Sequence, residues 1–128
     1  MTYRCLSRWK DFSSLLGKTL TAIVVNDDRT EIEITTADGE RYLMYHEQDC
    51  CESVWVEDIA GDLEDLIGTP LLMAEVTSQD GENNDEYGTS TWTFYRAATI
   101  KGSVTIRWCG TSNGYYSEGV SFALLTSD

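Results

Sequence analysis

The stretch Thr30-Glu31-Ile32-Glu33-Ile34-Thr35-Thr36-Ala37-Asp38-Gly39-Glu40-Arg41-Tyr42-Leu43-Met44-Tyr45-His46 decides the fold. Its first residues alternate, so an extended chain sets Ile32 and Ile34 on one face and Glu31 and Glu33 on the other, in water. Asp38-Gly39 is the pair that a tight hairpin turn demands, because both positions tolerate positive φ, and Arg41 to His46 returns as the partner strand. Antiparallel sheet is the expectation, and the flanking residues extend it.

Upstream, Thr19 to Val25 is apolar and β-branched, a strand that Asp27-Asp28 turns into the hairpin. Downstream, the polar loop Glu47 to Glu52 leads to a fourth strand at Val54-Trp55-Val56. Leu71 to Val76, Thr91 to Ala97, Val104 to Trp108 and the alternating Val120, Phe122 and Leu124 read as four more. Trp92 and Phe94 are predicted inward and Arg107 toward solvent. The segment Gln79 to Gly88, polar except for Tyr87, reads as an acidic loop. Residues 1–10 show no period and are expected to be a loose arm or an edge segment.

Two short helices are predicted, Phe12 to Leu16 behind Asp11 and Leu63 to Ile67 behind Asp62, stopped by Gly17 and Gly68. They reveal a repeat. Aligned without gaps, residues 11–25 and 62–76 share Asp11/Asp62, Leu15/Leu66, Gly17/Gly68, Leu20/Leu71 and Val25/Val76. Each match has a local mechanical reason: cap, buried helix face, helix stop, strand core. Each half then reads as helix, three strands, polar loop and fourth strand, the loops being Glu47 to Glu52 and Gly110 to Gly119. The expectation is a mainly β single domain over 1–128, an antiparallel sandwich or barrel of about eight strands and two short helices. Its pseudo-repeated halves are 11–60 and 62–125, each too small to hold more than a marginal core alone.

The chain has 128 residues and a formal charge of −13. Between Asn26 and Ser90 nineteen Asp and Glu face only Arg29 and Arg41, a local charge of −17, so the acidity is regional. Such a surface repels phosphate backbones, which disfavours direct nucleic-acid binding, and it steers toward a basic protein partner. The first ten residues lack the apolar run of a secretory signal, and no stretch approaches the roughly 18 apolar residues that span a bilayer. A cytoplasmic protein away from membranes is expected. The adjacent pair Cys50 and Cys51 argues for reduced thiols rather than a disulfide framework.

Two loops hold the candidate site. His46, Asp49, Cys50, Cys51 and Glu52 form the densest cluster of metal-binding or proton-transferring side chains, and His46 is the only histidine. Zinc wants three or four ligands, commonly in spaced pairs, and there is no second spaced pair beside His46 and Cys50. The favoured reading is that His46 bonds a neighbour while one cysteine packs inward. The second loop carries Asn113, Tyr115, Tyr116 and Glu118 among glycines, which suits recognition or a hairpin turn at Asn113-Gly114. Asp80 to Glu86 fails as a calcium loop, since Asp85 and Thr91 stand where Gly and Glu are required. No oxyanion motif or phosphate loop is present, so no cofactor is expected and the chain reads as a non-enzyme.

At Asp49-Cys50-Cys51-Glu52-Ser53-Val54 and at Ser112-Asn113-Gly114-Tyr115-Tyr116-Ser117-Glu118 the chain resembles an uncharacterised family of small phage and prophage proteins. The likeness spans about Phe12 to Leu124. It implies a phage or mobile-element protein acting inside a bacterium, with no activity to carry over. The resulting expectation is a non-enzymatic acidic accessory protein that binds a host or phage protein, one with a basic nucleic-acid-binding surface being a candidate. Two alternatives are a small-molecule or nucleotide binder using Trp55, Tyr115 and Tyr116, and a metal-binding protein using the His46 to Glu52 loop.

Overall fold

The alternation around Ile32 and Ile34 is realised as a strand whose two isoleucines are buried in the core. A computed structural model describes residues 5–46, 52–80, 89–112 and 118–126. The described strands are β1 (Cys5–Trp9), β2 (Leu20–Val25), β3 (Glu31–Thr36), β4 (Arg41–Tyr45), β5 (Ser53–Ala60), β6 (Met73–Asp80), β7 (Thr89–Thr99), β8 (Gly102–Ser112) and β9 (Ser121–Thr126). They form a five-stranded sheet, β1-β9-β4-β3-β2, and a four-stranded sheet, β5-β8-β7-β6. All strand pairs are antiparallel. The result is an open two-sheet arrangement, not a closed barrel. The strand at Cys5–Trp9 resolves the loose-arm-or-edge alternative for residues 5–9 in favour of the edge. No helix among the described residues is long and apolar enough to cross a membrane.

The internal duplication is visible as two similar sheets. In each, three consecutive strands make a meander, β2-β3-β4 or β6-β7-β8, and the fourth place is taken by a strand from the other half. β5 leaves the first half to lie beside β8, and β9 leaves the second to lie beside β4. Each half thus completes the other's sheet.

The repeated residues hold the halves together. Both predicted helices are single 3-10 turns, Phe12–Leu15 and Leu63–Leu66, with Leu15 and Leu66 buried. The glycines that follow take positive φ, +83° at Gly17 and +94° at Gly68, where a side chain would be strained. Gly17 N–H donates to Leu71 O and Gly68 N–H to Leu20 O, both at 2.9 Å, and Thr19 bridges Pro70 between them. Four of the residues shared between the repeats are therefore reciprocal partners across a pseudo-twofold seam.

One core lies between the sheets. Trp108 of β8 is fully buried and its Nε1–H donates to the Met44 thioether of β4 at 3.1 Å, joining the two sheets at their centres. From the first 3-10 turn, Phe12 makes edge contacts with Tyr95 (4.9 Å) and Phe122 (5.4 Å), and Phe122 stacks on Tyr42. A separate buried cluster, Leu43, Tyr45, Ala123 and Leu125, occupies the opposite face of the five-stranded sheet.

Two expectations are corrected. Trp92 and Phe94 do not point inward: Thr93, Tyr95, Ala97 and Thr99 are the buried residues of β7, and the two aromatics lie half-buried on the outer face. Arg107 stands over Trp92 at 5.2 Å and Arg96 over Phe94 at 5.2 Å, so cations cover the outward rings. In addition, β6 and β8 run past their predicted ends at Val76 and Trp108, and Gly110, Thr111 and Ser112 are strand rather than loop.

Candidate functional site

The strand exchange brings the strand ends that flank both polar connections to one end of the molecule. Tyr45 pairs with Ser121 and Ser53 with Thr111, so β4 ends beside the start of β9 while β5 begins beside the end of β8. His46, just after β4, thereby reaches both. Its Nδ1 lies 2.7 Å from Gly119 O and its Nε2 lies 2.8 Å from Glu52 Oε2. A carbonyl oxygen can only accept, so Nδ1 carries a proton and donates it. Nε2 and the Glu52 carboxyl are joined by the second hydrogen bond, so both ring nitrogens are engaged. The His46 side chain is 5% exposed and that of Glu52 is fully buried.

Glu118 occupies the matching place before β9 and is also buried. Its Oε2 accepts from Thr89 Oγ1 and Ser112 Oγ, both at 2.5 Å, and its Oε1 from Thr91 Oγ1 at 2.8 Å. Burial alone would raise its pKa, but the hydroxyls of Ser112, Thr89 and Thr91 outweigh that and hold it below the ordinary value. Such a carboxylate is an anion and a weak base. Gly110 makes room for it, since a Cβ there would fall 2.5 Å from Glu118 O.

Trp55 belongs elsewhere. The register sets Trp55, Cys109 and Trp92 in one row across β5, β8 and β7, on the outer face of the four-stranded sheet. In this row Cys109 is buried, and burial, with the carboxylates Glu57 and Glu118, pushes its thiol up, away from the reactive thiolate. Beside it, Arg107 pairs with Glu57, its Nε 2.9 Å from Oε1.

Of the expected site residues, then, His46 and Glu52 are joined directly and Glu118 lies close to them through Gly119, whereas Trp55 faces the outer surface. Asp49, Cys50, Cys51, Asn113, Tyr115 and Tyr116 lie outside the described residues. Sequence reasoning missed Thr89 and Thr91 as partners of Glu118, because taking Trp92 and Phe94 as inward turned the threonines of β7 away from the core. A signal was present in the spacing: Ser112 and Glu118 are six residues apart, as are His46 and Glu52. Among the described residues no group of three or more His, Cys, Asp or Glu is placed to hold a metal ion.

No curated protein and no solved structure matches the chain. A family model does match, over residues 13–122, and by it the chain belongs to the family described as a domain of unknown function, DUF7448.

Proposed function

We propose that the chain is a non-enzymatic accessory protein whose acidic surface binds a host or phage protein that presents a basic surface, in the cytoplasm of a bacterium and in the phage-type setting that its sequence resembles. The observation that carries this reading is an uncompensated negative surface. Lys18, Arg41 and Arg107 are each taken up by a neighbouring carboxylate, Glu40, Glu33 and Glu57. Asp27, Asp28, Asp38, Asp58, Asp62, Glu64, Glu75 and Asp80 are exposed and have no ion pair among the described residues. A field of one sign accelerates encounter with an oppositely charged protein and is screened by salt.

The test is affinity capture from bacterial lysates at low ionic strength, with mass spectrometry of what salt elutes. The expected result is a basic protein whose retention drops when Asp27, Asp28 and Asp58 are changed to Asn together. If lysates from several bacteria yield no salt-eluted basic protein, the reading is wrong.

A further inference from the structure

Strand β6 is an edge. It pairs with β7 on one side and with no strand among the described residues on the other, and every residue from Glu75 to Asp80 is exposed. An open edge of this length is a template for another strand, and proteins guard such edges with charge. The guards here are Glu75 and Asp80, both negative. On a chain of net charge −13 they oppose pairing with a second copy and favour a basic strand.

Behind this edge the two sheets part. A cleft of about 250 Å3 opens between β6, β7 and the start of β9, lined by Val76, Thr77, Ser78, Thr91, Thr93, Gly119 and Val120, with the Thr77 hydroxyl taken up by Arg96 Nη1 at 2.9 Å. Val76 and Val120 provide apolar wall, and the hydroxyls provide polar wall. Thr91 is the link to the buried anion: having donated its proton to Glu118 Oε1, its oxygen can offer only lone pairs to the cleft. Both the walls and the charge behind them suit a flexible methylene stem that ends in an ammonium.

We propose that the free edge of β6 docks an extended, lysine-bearing segment of a basic protein, which pairs with the β6 backbone and sends one alkylammonium side chain into the cleft toward Glu118. This inference rests on the basic-partner reading above and gives it a seat. Main-chain hydrogen bonds supply affinity in strand addition, and alternate side chains supply selectivity.

The probe is a fluorescein-labelled peptide alternating Lys and Thr, titrated with the full chain and read by fluorescence anisotropy. Binding should weaken about tenfold or more when the lysines become norleucine, and likewise when alternate backbone amides are N-methylated. Val76→Lys, at a position already 46% exposed, should fill the cleft with an ammonium of its own and weaken binding similarly, with the circular dichroism spectrum and melting temperature unchanged. Absence of binding, equal affinity for either analogue, or an unaffected Val76→Lys variant would overturn the proposal. So would a concentration-dependent dimer through β6, which assigns the edge to a second copy. Captured on columns, the wild type and Val76→Lys separate the two levels: a wild-type column that holds no basic protein overturns both. A Val76→Lys column that holds one at the wild-type level overturns only the β6 seat.

Discussion

Two buried glutamates sit six residues beyond a polar partner at a strand end, Glu52 beyond His46 and Glu118 beyond Ser112, and the two are satisfied by opposite chemistry. Glu52 meets an imidazole, whose other nitrogen reaches Gly119 in the second connection. Glu118 meets three hydroxyls, all from the four-stranded sheet. The first arrangement uses both nitrogens of one ring and ties the end of the first connection to the end of the second. The second keeps an anion and ties one connection to β7 and β8. Duplication has kept the backbone plan while the side chains have diverged, so the two ends of the repeat should respond differently to the same insult.

His46→Ala should have the largest effect. It takes the imidazole from a fully buried carboxylate and the Nδ1 donor from Gly119 O, and a broken buried pair costs about 3–5 kcal/mol. Urea unfolding measures it. A loss below about 1 kcal/mol would mean that the imidazole is not what holds the two connections together. On the other side of the comparison, Gly110→Ala drives a methyl into backbone, 2.5 Å from Glu118 O, and should cost about 1–3 kcal/mol in the same assay.

Glu118→Gln sharpens the contrast through pH. The folded pKa of Glu118 lies below its ordinary value of 4.5, so its ionisation contributes stability that is fully present above pH 4.5 and is lost as pH falls through the lower, folded value. The variant lacks that contribution. It should be less stable than the wild type at neutral pH by about 1–2 kcal/mol, and the two unfolding curves should converge in acid. A constant gap from pH 7 to pH 3 would show that the hydroxyls do not stabilise a charge.

Much of this architecture was legible in the residues. The Ile32/Ile34 alternation, the Asp38-Gly39 turn and the shared Asp, Leu, Gly, Leu pattern have local causes, and local causes can be read from a single chain. The strand exchange was not legible, because nothing in either polar connection says which sheet its following strand will join. That depends on how two half-cores pack. At β7 the periodicity itself was ambiguous, since Trp92, Phe94 and Tyr95 put large rings on both faces. Tyr95 won the interior through Phe12, and Arg107 and Arg96 made the outward rings tolerable. The candidate site was half legible: its polar residues stand out in the sequence, but the meeting of His46 with Gly119 depends on β4 lying beside β9.

The smallest expected difference lies in the most similar part of the repeat. Asp62 accepts a hydrogen bond from Glu64 N–H at 3.0 Å, whereas Asp11, its counterpart, makes no side-chain cap bond. The two aspartates match in sequence and flank turns of the same length, so only one of them is a working cap. Asp62→Ala should lower stability by about 1 kcal/mol and Asp11→Ala by a few tenths at most, read as a pair in thermal melts. Equal losses would mean that Asp11 acts through something other than a cap bond. No loss at Asp62 would mean that solvent serves the Glu64 amide as well as the carboxylate does, and the surviving identity of the two aspartates would then need an origin outside folding stability.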